Sequence, residues 1–149
     1  FSHEIDLAYW LFGDLKINYS FLEKTDLLNL NVEDKAFIHA TSKKNNCSIT
    51  FRLNFCSKND QRKIKITSFD SYLEYDLLNA QLIFVKNNNT QIFEFNKSKD
   101  QKYEDQLIHF FECIEKDKET ICNLNDAIKV LDYIKISKDI DFNSNKYCE

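Results

Sequence analysis

Two residues near the start of this chain, His3 and Asp6, have the types and spacing that proton-transfer chemistry asks for. Imidazole is the side chain that changes charge near neutral pH without help from its surroundings, so a histidine is a ready general acid or base. Asp6 follows three positions on, a spacing that stacks the two side chains on one face of a helix and lets a carboxylate orient the ring or the helix start. Each residue also has a plainer reading. A histidine near a chain end is commonly a solvated or capped residue, and an early aspartate is commonly a partner for the helix dipole. Spacing alone leaves both open.

The element that must position them is a short helix over residues 1–13. Ser2 is the expected N-cap, Glu4 and Asp6 complement the positive dipole end, and Gly13 supplies a left-handed stop. Ile5, Ala8, Tyr9 and Phe12 share one face, and Leu7, Trp10 and Leu11 widen the apolar stripe until little of the helix is left for solvent. The helix is expected to be almost wholly buried.

Downstream, alternation predicts strands at residues 15–22, 36–41, 48–55, 63–69, 72–77, 82–85 and 91–95, with residues 23–34 as a connector or irregular edge strand. Residues 43–46 are the turn of the clearest hairpin, since Asn tolerates positive φ there, and residues 87–89 form another. Tyr103, Leu107, Phe110, Phe111 and Ile114 predict an amphipathic helix with His109 facing away from its stripe. A further helix is capped by Asn123 and buries Ala127, Val130, Leu131 and Ile134, before a polar tail over 139–149 that frays. The class is α+β: an open, mainly antiparallel sheet of about six strands with helices packed on one face.

Composition narrows the function. With 43% hydrophobic and 30% charged residues and no long apolar run, the chain fits neither a membrane nor a disordered class. A net charge of −4 with scattered lysines offers no basic stripe, so nucleic acid is not an expected partner. Cys47, Cys56, Cys113, Cys122 and Cys148 lack Cys-x-x-Cys spacing and read as reduced structural thiols in a cytoplasmic protein, with no metal site. The polar face of the 48–55 strand suits water, another subunit or a substrate, and the same alternatives hold for Arg52, Lys63, Lys65 and Tyr75; His39 reads as a plain surface position. A chain beginning at Phe1, on the doorstep of a helix, is expected to be a fragment.

Ser2-His3-Glu4-Ile5-Asp6-Leu7 followed by Tyr9-Trp10-Leu11-Phe12-Gly13 resembles the segment that opens the C-terminal half of the glucose-fructose oxidoreductase, inositol dehydrogenase and rhizopine-catabolism dehydrogenase family. The pattern of Leu107, His109 and Phe110 and the run from Asp126-Ala127 to Ser137 are similar to later family segments. The resemblance implies that residues 1–149 form one C-terminal substrate-binding and oligomerisation domain of the dihydrodipicolinate reductase-like type. It implies His3 as the catalytic general acid/base, Asp6 in support, and a sugar-type small-molecule substrate, sugar derivative or polyol. The motif's ending is similar to members acting on modified or nucleotide sugars in surface polysaccharide pathways. A homo-oligomer through the sheet face is also implied. NAD or NADP would be bound mainly by an N-terminal Rossmann domain absent from this chain, because a single glycine excludes a Gly-x-Gly-x-x-Gly turn here. The alternative is a stand-alone α+β interaction module that kept the fold without the chemistry.

Overall fold

A computed structural model describes residues 1–95 and 99–145. The element order is α1 (Ser2–Phe12), β1 (Leu15–Glu23), β2 (Lys35–Ser42), β3 (Ser48–Asn54), β4 (Lys63–Thr67), β5 (Ser71–Asp76), β6 (Gln81–Lys86), β7 (Asn89–Glu94), α2 (Lys99–Glu115) and α3 (Leu124–Asn145). The α+β class and the antiparallel pairing are as expected. Among the described residues the strands number seven and divide into two sheets, β1-β2-β3 and β4-β5-β6-β7, rather than one sheet of about six. The chain correspondingly forms two compact units, one of residues 1–57 and 121–149, the other of residues 58–120. Cys148 and the last residues of the expected fraying tail lie outside the described residues.

In the first unit α1 and α3 meet the inward side of the β1-β2-β3 sheet. The core joins Ile5 and Ala8 of α1 to Leu15, Ile17 and Leu22 of β1, Ala36, Ile38 and Ala40 of β2, Phe51 of β3, and Val130 and Tyr133 of α3. Alternation along β1 does not hold. A bulge between Ile17 and Tyr19 switches the face, so that Ser20 and Leu22 point inward and Tyr19 and Phe21 outward. Inside, the Ser20 hydroxyl has no hydrogen-bond partner among the described residues.

The helix α1 corrects two expectations. Its N-cap is Phe1 without a side-chain cap hydrogen bond, because Ser2 already lies inside the first turn. Nor is it buried all round: Ile5 and Ala8 are, while Trp10 is 68% exposed. One sheet and one helix cover a single stripe, and the wider apolar band faces out. The end matches better. Gly13 closes α1 through its N–H to the Tyr9 carbonyl (2.8 Å), with φ 74° and ψ −159°, a combination outside the ordinary left-handed helical region and open essentially only to glycine.

On α3 the buried stripe is Val130, Tyr133 and Ser137, while Ala127 and Leu131 are exposed. Tyr133 goes inside because its phenol is satisfied there, accepting from the Leu15 N–H at 3.1 Å and donating to Asp14 at 3.1 Å. Ser137 donates back to the Tyr133 carbonyl at 2.8 Å. The helix continues through the stretch expected to fray. There the Asp141 carboxylate accepts from the Leu22 N–H at 2.8 Å, and Ile140 packs against the core.

The stretch between β1 and β2 is tied down by a residue whose role its sequence position did not reveal. Asp34, 2% exposed, accepts from the Thr25 hydroxyl at 2.6 Å and the Thr25 N–H at 3.1 Å, and its own carbonyl accepts from Phe55 N–H. The Thr25 hydroxyl above all, with help from the Thr25 N–H and the Cys56 thiol, holds the Asp34 carboxyl below its usual range against the opposing effect of burial. A carboxyl depressed in the folded state stabilises above its ordinary pKa, and that contribution is lost as pH falls through the lower folded value. Asp34→Asn should therefore lower the melting midpoint by roughly 5 °C at pH 7. Parent and variant should converge below pH 3.8, the carboxyl's ordinary value. A thermal-melt series against pH checks this, and a gap that stayed constant into acid would contradict it.

In the second unit β6 and β7 join through Asn87-Asn88, both at positive φ (49° and 62°), a two-residue hairpin turn of the type I′ kind. Cys113 is the buried side chain of α2, with its thiol 3.6 Å from His109 Nε2. The expected apolar stripe of Tyr103, Leu107, Phe110, Phe111 and Ile114 is exposed, and His109, expected to be solvated, is half-buried. Periodicity reads which face of a helix is apolar; it is silent on what covers that face.

Candidate functional site

The chemistry-bearing residues of the first unit gather around α1. His3 stands exposed in the first turn. Asp6, half-buried one turn on, lines a cleft of about 640 Å³ whose wall continues through Tyr9, Trp10 and Gly13. The helix thus carries His3 and Asp6 at the spacing the sequence gives them, and among the described residues no hydrogen bond joins the two. His3 itself does not line the cleft.

The far side of the cleft is built by the start of α3. Asn123 caps it: the Asn123 side-chain oxygen accepts from the N–H groups of Asn125 (2.9 Å) and Asp126 (3.2 Å), while the Asp126 carboxylate accepts from the Asn123 N–H (3.0 Å). This reciprocal arrangement is a capping box. Asp126 also accepts from the Tyr9 phenol at 3.1 Å, which ties α3 to α1. One and two turns further, Lys129 and Tyr133 present themselves on the same side of α3. Lys129 donates to Asp14 at 2.9 Å and to the Tyr9 oxygen at 3.3 Å, with its ammonium 5.2 Å from the centre of the Tyr9 ring.

These contacts set the electrostatics. The Asp14 carboxyl is held below its usual range, first by Lys129 and then by Tyr133. The Lys129 ammonium is pushed well up, first by Asp14 and then by Tyr9. Burial raises Tyr133, and burial also raises the Cys122 thiol, followed by the negative charges of Asp6 and Asp126. Since Asp14 and Lys129 are both about half exposed, their pair orders the corner more than it stabilises the fold.

This network went unread in the sequence although its spacing was available. Asp126, Lys129 and Tyr133 fall at i, i+3 and i+7 of one helix and share a face. Of the side chains considered as sheet-face contacts, Lys63 and Lys65 pair with Glu74 at 2.8 and 3.2 Å. With the Tyr72 phenol also donating to it, Glu74 is pulled down to about 2, Lys63 being the largest cause. Tyr75 packs edgewise on Phe95 with ring centres 6.1 Å apart. Arg52 is exposed opposite Phe37 on the outward face of β2 and β3, and His39 bonds Ser48 at 3.0 Å on that same face.

No family model matches the sequence, and no curated protein matches it. Solved structures do. The dehydrogenase MviM of Clostridium difficile superposes with a TM-score of 0.77 at 24% identity, over 93% of this chain and 45% of its own. The aldose-aldose oxidoreductase of Caulobacter crescentus, solved with glycerol, gives 0.79 at 14% identity over 96% and 44%. The chain has the fold of the matched portions of these oxidoreductase structures. A third example is the UDP-N-acetylglucosamine 3-dehydrogenase GnnA of Acidithiobacillus ferrooxidans, at 0.74 and 17% identity over 91% and 44%. This chain therefore spans less than half the length of each of these structures.

The described residues do not form a Rossmann-type dinucleotide cradle. Phosphate cradles of that kind need a glycine-rich turn leading from a parallel strand into a helix. The chain has one glycine, Gly13, which is spent in stopping α1, and every described strand pair is antiparallel. Among the described residues no helix is long and apolar enough to cross a membrane.

Proposed function

We propose that this chain is the substrate-side segment of a nicotinamide-dependent oxidoreductase acting on a sugar, a sugar derivative or a polyol, with His3 as general acid/base and Asp6 supporting it. The observation that carries this reading is α1 itself. It presents an exposed imidazole in its first turn and, one turn later, a carboxylate on the wall of a cleft, within a fold shared with enzymes named for dehydrogenation and aldose chemistry. An alcohol carbon cannot be oxidised until its hydroxyl proton has somewhere to go, and His3 is accessible to take it. In this reading NAD or NADP is held by a segment outside this chain, which is consistent with the absence of a cradle here. The outward face of β1-β2-β3, where Tyr19 and Phe37 meet at 6.2 Å and Phe21 is exposed beside them, is the surface through which copies would associate.

Reading the coding sequence upstream of the Phe1 codon tests the proposal. About 120 to 170 further residues, the usual span of one domain, with a glycine-rich fingerprint are expected. A start codon directly before Phe1 would overturn the oxidoreductase reading in favour of an interaction module.

A further inference from the structure

The cleft beside α1 carries more than the proton-transfer reading uses. Its basic end is formed by Lys43 and Lys44, on the turn between β2 and β3. Both are exposed, and neither side chain makes an ion pair or a hydrogen bond with a described residue, whereas Lys129 nearby is committed to Asp14. Their turn is built rather than loose. The Lys43 N–H donates to the Asp14 carbonyl at 2.8 Å, and the Lys44 N–H donates to the Ser42 hydroxyl at 3.2 Å. That hydroxyl, on a fully buried residue, donates in turn to the Phe12 carbonyl at 2.7 Å. The Lys44 stem lies against the end of α1, within ordinary contact distance (3.9 Å) of where a Cβ on Gly13 would stand.

Trp10, a largely exposed indole, lines the same wall. Three carboxylates line the cleft as well: Asp14, beside Lys43 and paired with Lys129, and Asp126 and Asp6, which keep spare acceptor capacity. Asp126 is fixed by Tyr9 and Asn123, and Asp6 makes no hydrogen bond with a described residue. Two exposed lysines, an exposed indole and carboxylate acceptors thus line one cleft of ordinary ligand size. Ammonium groups recognise an anionic substituent, an indole takes the C–H face of a pyranose ring, and carboxylates accept from hydroxyls.

We propose that this cleft binds an anionic carbohydrate, a sugar bearing a phosphate or carboxylate, with the anion on Lys43 and Lys44, the ring on Trp10 and the hydroxyls on Asp6 and Asp126. The inference requires neither turnover nor a nicotinamide, and His3 takes no part in it.

Trp10 is the sole tryptophan of the chain, so its emission reports the site directly. The 149-residue chain is titrated with glucose 6-phosphate and with glucuronate, and separately with glucose and inorganic phosphate as half-ligands. A saturable change is expected for at least one anionic sugar, with a dissociation constant of about 1 mM or tighter. The half-ligands should bind at least tenfold more weakly. In the Lys43→Ala/Lys44→Ala double variant, which alters exposed side chains, the anionic sugar should weaken about tenfold. Three results would overturn the proposal: no saturable change from either anionic sugar to tens of millimolar, an unchanged affinity in the double variant, or phosphate alone binding as tightly as the sugar phosphate.

Discussion

His3→Ala, introduced into the enzyme that carries this segment together with its nicotinamide-binding part, is expected to cut kcat by about a hundred- to ten-thousandfold, the usual worth of a positioned general acid/base. Melting should not change. The imidazole is exposed in the first turn of α1, makes no hydrogen bond with a described residue and takes no part in the core, so its removal leaves no cavity and no unpaired partner. Alanine is also the better helix former. The loss should fall on kcat rather than KM, because the group acts on the reacting proton rather than on binding. A variant with the parent's kcat would end the catalytic reading, whatever else the fold suggests.

Ile5→Ala should do the reverse, costing stability first. Ile5 is fully buried, with 0% of its surface exposed, and joins α1 to residues of β1, β2 and α3 in one cluster. Removing three buried carbons takes away their transfer energy and leaves a cavity that a sheet on one side cannot collapse into. Such truncations cost about 3 kcal/mol, within a range of roughly 2–5. For a domain of this size that is a fall of about 6–12 °C in the melting midpoint. Since the same helix seats Asp6 and Trp10, cleft binding should weaken together with stability. A loss below about 1 kcal/mol in denaturant titration, at unchanged slope, would mean that α1 is not docked as described.

Local chemistry made much of this fold legible. Asn46 and the Asn87-Asn88 pair mark turns because their side chains tolerate positive φ, and both hairpins are found where that predicts. Gly13 and Asn123 mark the end of α1 and the start of α3 for similarly local reasons. What failed was any inference requiring knowledge of the partner surface. Tyr133 displaced Leu131 from the core because a buried phenol had an amide and a carboxylate waiting for it, which no hydropathy pattern records. The β1 bulge inverted the expected alternation after Ile17. Asp34 looked like one more acid in a polar connector, and only its burial and its bonds from the Thr25 N–H and hydroxyl make it a fastening point. At the candidate site the sequence marked His3 and Asp6, while Lys43 and Lys44 were visible only as turn residues.

The backbone at Gly13 explains an oddity of the composition. Eight described residues adopt positive φ, and seven of them are Asn, Asp or Ala with φ between 47° and 62°, where an L-residue pays a tolerable cost. Those positions do without glycine because their backbone lies in the ordinary left-handed region. Gly13 is the eighth, and its ψ of −159° lies where an asparagine side chain offers no remedy. The corner that turns α1 toward β1 is thus the one positive-φ position among the described residues whose backbone demands glycine outright.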